Sequence, residues 1–214
     1  MKKRVTTFLA VALSLSIFAQ QTDTIAMIGC NFNTPSWGES LGTVSFYTDN
    51  EWIIEGNGIF QIWSDAVTAT ACQKEAFNGG SLEFQDFNAD CRSNPDFPGD
   101  LFSWCTVVRF ADQLCPYPWR VPTHENFINL DIAMGGTGYL RTDLDFVNTN
   151  YVTRWGGAFG GWSNADGTLN GQGFWGFYWS RSEDGALLPF DTNGNINPQS
   201  WGNRDGGLTL RCVR

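Results

Sequence analysis

The chain has 214 residues, among them 24 Gly, 17 Phe, 10 Trp and 5 Tyr, and carries a formal net charge of -9 at pH 7. A composition so rich in glycine and aromatic residues indicates a globular domain with many turns and argues against a helix bundle. The acidic balance makes nucleic acids and anionic membranes poor partners.

The first 19 residues have the pattern of a secretory signal peptide. Basic residues at positions 2–4 precede an apolar run over residues 8–18, and Ala19 is followed by two glutamines. Because this run is about half of the ~20 residues that a bilayer span needs, it predicts export rather than a transmembrane helix. We expect cleavage after Ala19, and no second apolar run of transmembrane length follows. A lipoprotein processing box, Met-Ile-Gly-Cys at 27–30, is a weaker alternative because it lies well past the apolar run.

Residues 20–96 alternate β-rich runs with turn sequences and predict a β-rich N-terminal extension. The dipeptide Asn57-Gly58 is typical of a tight turn between two strands. Short strands are predicted over residues 43–47, 51–54 and 59–63.

The middle of the chain changes to helix and loop signals. Ser64 is placed to cap a helix over residues 65–72, and residues 78–100, rich in Gly, Asn, Asp, Ser and Pro, predict an irregular surface loop. A further helix is predicted over residues 103–114, and Pro116 and Pro118 prevent its continuation.

Thr123 marks the start of the best-defined helix, which Gly135-Gly136 ends. Phe127, Leu130 and Met134 recur at helical spacing in it and so face a core. From Trp155 to Gly176 the sequence is rich in Gly and Trp and follows no regular period. Strands then return over residues 177–180, 187–191 and 208–213, and Asn193-Gly194 predicts a turn. In the last strand we expect Leu208, Leu210 and Cys212 to point inward, whereas Thr209 and Arg211 point outward.

Four segments fall in the order seen in one known family. They are Asp-Leu-Phe-Ser-Trp-Cys-Thr-Val-Val-Arg-Phe (100–110), Cys-Pro-Tyr-Pro-Trp-Arg-Val-Pro-Thr (115–123), Gly-Phe-Tyr-Trp-Ser-Arg-Ser-Glu (176–183) and residues 196–214, which end in Gly-Leu-Thr-Leu-Arg-Cys-Val-Arg. Over residues 97–214 the chain resembles the Fibrobacter succinogenes major paralogous domain family. Cys105 departs from that pattern, since an acidic residue commonly follows the tryptophan there.

The resemblance implies the fold. That family is similar to the C-type-lectin-like and formylglycine-generating-enzyme-like folds, so we expect an α+β domain with small twisted antiparallel sheets. Two or three helices and long Gly- and Trp-rich loops would complete it. The extension 20–96 would then pack on the main domain 97–214.

Six cysteines in an exported chain predict disulfides. The family pattern implies a Cys115–Cys212 bridge, whose long loop would stabilise the fold by about 4–5 kcal/mol in the chain-entropy model. Cys72 and Cys91 flank Gly79-Gly80 and are the next natural pair. If 103–114 is helical, Cys105 and Cys115 are about 15 Å apart and cannot pair with each other. Whether Cys30 and Cys105 form a third bridge stays open.

Residues that could support catalysis or bind a metal are few. The single histidine, His124, is expected in solvent on the first turn of a helix. The sequence contains no Cys-x-x-Cys pair that would indicate a metal site. Acidic pairs at 143/145 and 183/184 are interpreted as loop acids rather than glycosidase pairs. The polar runs Asp191-x-Asn193-x-Asn195 and Asn164-x-Asp166-Gly167 lack the spacing of an EF-hand calcium loop. An oxidase of the formylglycine-generating type would need a reactive cysteine pair, for which only Cys30 and Cys105 remain.

The aromatic residues are the better candidates for a site, since flat apolar rings suit both sugars and protein partners. Trp119, Phe177 and Trp179 are expected in the core, whereas four tryptophans among Gly, Asn and Ser are expected to be exposed and to bind ligand. These four are Trp155, Trp162, Trp175 and Trp201.

The sequence therefore predicts a secreted, non-catalytic domain without a cofactor, at the outer surface of a Gram-negative bacterium or in the extracellular matrix. It would recognise a glycan or protein ligand. A structural or assembly subunit is the alternative, in which the same surface packs against copies of this chain or other chains.

Overall fold

The computed structural model describes residues 23–26, 40–45, 51–78, 81–84, 93–164, 168–182, 185–204 and 206–214; for 23–26, 40–45, 69–78 and 81–84 it describes the backbone alone. The predicted signal peptide, residues 1–19, lies outside this range. So do Cys30 and Cys91, and with them the predicted Cys72–Cys91 bridge and the pairing of Cys30 with Cys105.

The described residues form a mixed α/β protein with mostly short elements. The helices are α1 (Trp104–Arg109), α2 (Ala111–Leu114), α3 (His124–Ala133) and α4 (Leu144–Phe146), which runs into a π-helix over Val147–Arg154. The strands are β1 (Asp23–Ala26), β2 (Ser40–Ser45), β3 (Trp52–Gly56), β4 (Ile59–Ala66), β5 (Thr68–Asn78), β6 (Ser81–Phe84), β7 (Leu101–Ser103), β8 (Arg141–Thr142), β9 (Trp162–Ser163), β10 (Leu169–Asn170), β11 (Trp175–Trp179), β12 (Ala186–Asp191), β13 (Asn195–Ile196), β14 (Ser200–Trp201), β15 (Gly207–Thr209) and β16 (Arg211–Val213).

Three sheets organise these strands. The largest has the order β10-β9-β15-β11-β12-β13-β8, with β14 paired to β12 and β7 paired to β15. Its pairs are antiparallel except β11 with β15, which are parallel and meet at Tyr178 and Thr209. A second sheet has the order β16-β4-β3, and a third has the order β1-β2-β5-β6. Because β4 pairs with β16, the β3–β4 hairpin of the N-terminal extension shares a sheet with the last strand of the chain.

The hairpin β3–β4 has the predicted turn. Asn57 and Gly58 both have positive φ angles, 49° and 76°, and lie between the paired residues Gly56 and Ile59. This is the backbone that a two-residue hairpin loop requires, and Asn-Gly is the pair that adopts it most readily. A side chain at Gly56 would overlap the carbonyl of Ala133, so the hairpin lies directly on α3.

The predicted helix over residues 65–72 is wrong. This segment belongs to β4 and β5, because β4 is paired on both edges, with β3 and with β16. The hydroxyl of Ser64, which was expected to cap the helix, instead accepts a hydrogen bond from the Cys212 backbone N–H at 2.9 Å. The predicted loop 78–100 also contains a strand, β6, which pairs with β5.

Two predicted helix starts are confirmed by their caps. Ser103 accepts from Thr106 N at 3.3 Å at the start of α1, although Phe110 interrupts the predicted 103–114 helix and separates α1 from α2. Thr123 and Asn126 bond each other's backbone N–H groups at the start of α3, which is a capping box. Gly135 follows α3 with a φ of +97°, a conformation that glycine adopts at little cost.

A disulfide joins Cys115 and Cys212, whose Cα atoms are 5.6 Å apart and whose sequence separation is 97. It is the pair that the family resemblance implies. Both cysteines lie in one buried apolar cluster, which also contains Phe102, Val107, Leu114, Trp119, Trp179 and Leu210. The bridge therefore ties the end of the chain into the core.

The expected alternation of the last strand is wrong for Thr209 and Arg211. Both are buried, like the apolar residues between and beside them. Arg211 Nε donates to the Ser64 carbonyl at 2.8 Å, and its Nη1 donates to the Trp155 carbonyl. Burial lowers the pKa of Arg211 to about 10. Both faces of this segment are covered by other parts of the protein. The alternating sequence pattern predicted one exposed face, and the structure has none in this segment.

Candidate functional site

A groove of about 430 Å³ opens where β9, β11, β12 and β15 meet the loop residues 202–204 and 206. This volume lies within the ~300–1,000 Å³ that small-ligand sites usually have. Its lining residues are Trp162, Ser163, Asn164, Phe177, Leu187, Gly202, Asn203, Gly206 and Leu208. None of these nine residues carries a charge, so the described part of the lining offers apolar contact and neutral hydrogen-bonding groups.

Aromatic rings form one wall of the groove. Trp162 and Phe177 meet edge to face with ring centroids 5.5 Å apart, and Phe177 stacks on Trp175 at 5.5 Å. Phe177 and Trp175 are alternate residues of β11 and so lie on the same side of the sheet. Gly171, with a φ of +68°, passes between the rings of Trp162 and Trp175, where a Cβ would overlap Trp162. The glycine therefore permits the close packing that fixes both indoles.

Hydrogen bonds also fix Trp162. Its Nε1 donates to Asn164 Oδ1 at 3.0 Å, and Asn164 Nδ2 donates to Thr168 Oγ1 at 3.0 Å. The carbonyl of Trp162 accepts from Gln172 Nε2 at 3.3 Å. An indole already held in place loses little conformational freedom when a ligand packs against it, which favours binding.

Ser163 follows Trp162 in β9, so its side chain points to the opposite face of the sheet from the indole. It is only 2 % exposed, and its Oγ has no hydrogen-bond partner in the described part of the chain. Ser163 pairs with Gly207 of β15, and a side chain at Gly207 would overlap the Ser163 hydroxyl. Buried hydroxyls in native proteins nearly always have a partner. The Ser163 hydroxyl is one of the exceptions, and because it is covered it is not part of the surface that the groove offers to a ligand.

The opposite wall contains the loop residues Gly202, Asn203 and Gly206. Gly202 N donates to the Gly185 carbonyl at 3.1 Å, and the absence of a side chain at Gly202 makes room for Leu187. The guanidinium of Arg204 lies 4.4 Å from the centroid of the Trp104 ring on α1. These contacts attach the loop to the scaffold and set the width of the groove.

The four predicted tryptophans have different positions. Trp162 lines the groove. Trp175 does not line it but stacks on Phe177, which does. Trp201 is 60 % exposed but pairs with Ala186, whereas the next residue of β12, Leu187, lines the groove. Because neighbouring strand residues point to opposite faces, Trp201 faces away from the groove.

The prediction that Trp155 is exposed is wrong, since the residue is fully buried. Its ring meets Trp63 at 5.3 Å and Tyr178 at 4.8 Å, both edge to face. The glycines that follow Trp155 suggested a loop, but they serve close packing. A Cβ at Gly156 would overlap the ring of Trp52, and one at Gly157 would lie 2.9 Å from Phe190 Cζ.

Sequence analysis missed most of the groove. Phe177 and Leu208 were expected only in the core, yet each packs on the core and also lines the groove. Ser163 carried no signal beyond its place beside Trp162. Its hydroxyl is covered by Gly207, which lies 44 positions further along the chain and is brought to it by strand pairing.

The other polar candidates lie elsewhere. His124, expected in solvent, is half-buried, and its ring meets Trp201 with centroids 5.4 Å apart. Asp191 is buried and accepts three hydrogen bonds, from Asn193 N, Asn195 N and Asn195 Nδ2. Asp143 caps α4 through Phe146 N at 3.0 Å.

Two further features concern metals and membranes. Among the residues that the structure describes, no three His, Cys, Asp or Glu side chains gather where they could share a metal ion. Within the same residues, no helix has the length and apolarity of a membrane span. Asp166, Gly167, Glu183 and Asp184 lie outside the described residues.

Comparison of the chain with protein-family models, with curated proteins and with solved structures found no match in any of the three. The groove is therefore interpreted from its own chemistry.

Proposed function

We propose that the protein is a secreted, non-catalytic recognition domain of C-type-lectin-like type, which binds a glycan or protein ligand at a bacterial cell surface or in the extracellular matrix. The observation that carries this proposal is a groove whose described lining residues are uncharged and whose wall contains a fixed tryptophan, Trp162. Tryptophan is enriched among the residues that contribute most to binding energy.

The composition of the groove supports binding rather than catalysis. General acid–base chemistry requires a side chain that exchanges a proton near the working pH, usually His, Asp, Glu or Lys. The nine lining residues include none of these types. The one hydroxyl among them, on Ser163, has no base beside it within the described residues, and a serine nucleophile requires one.

Trp162→Ala tests the proposal, with Trp201→Ala as the matched control. Both residues are accessible tryptophans, but only Trp162 lines the groove. The mature protein is screened against immobilised glycans and extracellular proteins, and each bound component is then titrated with both variants. We expect Trp162→Ala to weaken binding by about 1 kcal/mol or more, as for an interface anchor, and Trp201→Ala to leave it unchanged.

Thermal melts accompany the titrations, because Trp162 also packs on Phe177. Trp162→Leu keeps an apolar contact there and removes only the flat indole. Trp162→Ala could lower the free energy of unfolding by the ~3–5 kcal/mol typical of a buried aromatic residue, while Trp162→Leu binds ligand like the wild type. These two results together would show that the ring belongs to the core, and the proposal would fail.

An assembly subunit is the second candidate, and the β3–β4 hairpin favours it. Ile53 and Phe60 are 54 % and 57 % exposed. Ile53 pairs with Ile62 and Phe60 pairs with Glu55, so both lie on the same face of the hairpin. Light scattering tests this candidate: a mass that rises with concentration and returns to the monomer value in Phe60→Ser supports assembly through the hairpin.

A further inference from the structure

We infer that Asn57, at the tip of the β3–β4 hairpin, is a site of spontaneous deamidation, and that the carboxylate formed there weakens the attachment of the hairpin to α3. The site is separate from the groove, so this inference does not rest on the proposed recognition function. It rests on the backbone of the turn, on the open space around Gly58 and on one hydrogen bond.

The reaction requires an asparagine that is followed by an unhindered backbone nitrogen. The nitrogen of Gly58 attacks Asn57 Cγ, the bond between Cγ and Nδ2 breaks, and ammonia leaves with the proton of the attacking nitrogen. Water then opens the resulting succinimide ring and gives either aspartate or isoaspartate at position 57. The only co-reactant is water, and asparagine is accordingly one of the thermolabile residues of proteins.

The turn leaves the attacking nitrogen accessible. Asn57 and Gly58 are both exposed and form the two-residue loop between the paired residues Gly56 and Ile59. No atom lies within 4 Å of the position that a side chain at Gly58 would occupy. Within the described residues, the Gly58 N–H has no hydrogen-bond acceptor. Because glycine also rotates more freely than other residues, the backbone can reach the geometry that the attack requires.

Two other Asn-Gly pairs in the described part of the chain are held more tightly. In Asn193-Gly194 the glycine is buried, and its nitrogen donates to the Asp191 carbonyl at 3.1 Å. In Asn170-Gly171 the glycine packs against the ring of Trp162. Rotation of either glycine would displace its neighbours, so we expect Asn57 to react before both pairs.

The side-chain amide of Asn57 attaches the hairpin to α3. Asn57 Nδ2 donates to the Ile132 carbonyl at 2.8 Å, and a side chain at Gly56 would overlap the Ala133 carbonyl. An aspartate has no N–H to donate and is ionised at neutral pH. Its charge would face carbonyls at the C-terminal end of α3, where the helix dipole is negative. Isoaspartate also adds a methylene group to the backbone, so the loop no longer matches the strand pair that it joins.

Peptide mapping tests the site. The mature protein is stored in mildly alkaline buffer beside a free peptide of residues 52–63, and aspartate and isoaspartate are separated by chromatography and identified by mass. We expect Asn57 to convert first in the protein, with Asn193 as the control in the same sample. Asn57→Gly keeps a turn sequence of the same type and should remove this conversion. An Asn57 that stays intact while the free peptide or Asn193 converts would overturn the site.

Asn57→Asp tests the effect on the hairpin. Thermal melts of this variant and of the stored wild type should both show a lower melting temperature than the fresh wild type. The difference between Asn57→Asp and the fresh wild type should shrink below about pH 4, where the new carboxyl group takes up a proton. A melting temperature of Asn57→Asp equal to that of the wild type at neutral pH would overturn the proposed weakening, and so would a difference that does not change with pH.

Discussion

The guanidinium of Arg211 lies 4.5 Å from the centroid of the Trp155 ring, and its Nη1 donates to the carbonyl of the same residue. Arg211 Nε bonds the Ser64 carbonyl on β4, so one buried cation joins the π-helix end, β4 and the last strand. The groove lies on a scaffold held together by this contact and by the Cys115–Cys212 bridge.

Arg211→Leu is predicted to destabilise the fold by about 2–4 kcal/mol. Leucine fills part of the space but leaves the carbonyls of Ser64 and Trp155 without their donors, and each buried unbonded group costs about 1–3 kcal/mol. Urea unfolding measures the loss. Arg204→Leu, on the surface, is the control and should cost less than about 1 kcal/mol. Equal stability of Arg211→Leu and the wild type would show that the cation is dispensable to the core.

Stability is predicted to fall above about pH 10, and Tyr151 is one cause. Burial and the neighbouring Asp131 carboxylate raise the pKa of Tyr151 well above its usual 10.0, and burial raises the pKa of Tyr178. Above pH 10 an unfolded tyrosine loses its proton while the folded one keeps it. The contribution of each group is therefore complete below pH 10 and is lost as the pH rises toward its folded pKa, at up to about 1.4 kcal/mol per pH unit.

The titration of Arg211 changes stability in the opposite direction. Burial lowers its folded pKa to about 10, below the usual arginine value, so between the two the unfolded chain holds more protons and stability rises with pH. Arg211 therefore offsets part of the decline that the tyrosines cause.

Urea unfolding between about pH 9 and pH 11 checks the tyrosine prediction. Tyr151→Phe should make the decline of stability with pH less steep. At neutral pH it should lower the free energy of unfolding by about 1 kcal/mol, because the 2.8 Å hydrogen bond to Asp131 is lost. Tyr139→Phe, at an exposed position, should change neither quantity. A decline of the same steepness in Tyr151→Phe would contradict the assignment.

Removal of the disulfide is predicted to cost about 4–5 kcal/mol, because the bridge closes a loop of 97 residues and so restricts the unfolded chain. The double variant Cys115→Ser/Cys212→Ser is compared with the wild type by urea unfolding. Peptide mapping without reductant provides the control, and a Cys115 peptide linked to any partner other than Cys212 would refute the pairing.

Arg204→Ala is predicted to weaken ligand binding several-fold while the melting temperature changes little. The side chain holds the loop residues 202–204 against Trp104, and an exposed cation–π contact contributes only about 0.5–1 kcal/mol. The groove would lose the fixed position of one wall without loss of core contacts. Arg204→Lys keeps the charge but stacks less well, so its affinity should lie between those of the wild type and Arg204→Ala. Tight binding by Arg204→Ala would mean that the loop needs no such anchor.

Local chemistry made several elements readable from the sequence. The Asn57-Gly58 turn and the Thr123 capping box depend on residues within a few positions of one another, and both are present in the structure. The same is true of the turn before β13, where Gly194 has a φ of +86°. Such elements follow from backbone preferences and short-range hydrogen bonds, which neighbouring residues determine.

Only the tertiary structure decided which aromatic residues are accessible and where the groove lies. Trp155 and Trp162 have similar glycine-rich neighbours in the sequence, yet the first is buried against Arg211 and the second lines the groove. Ser64 and its successors form strands rather than a helix, because β16, more than 140 residues later, pairs with β4. The groove combines residues from 162 to 208 on separate strands and a loop. Burial and strand pairing depend on contacts between distant segments, and those contacts outweigh local preference wherever the two disagree.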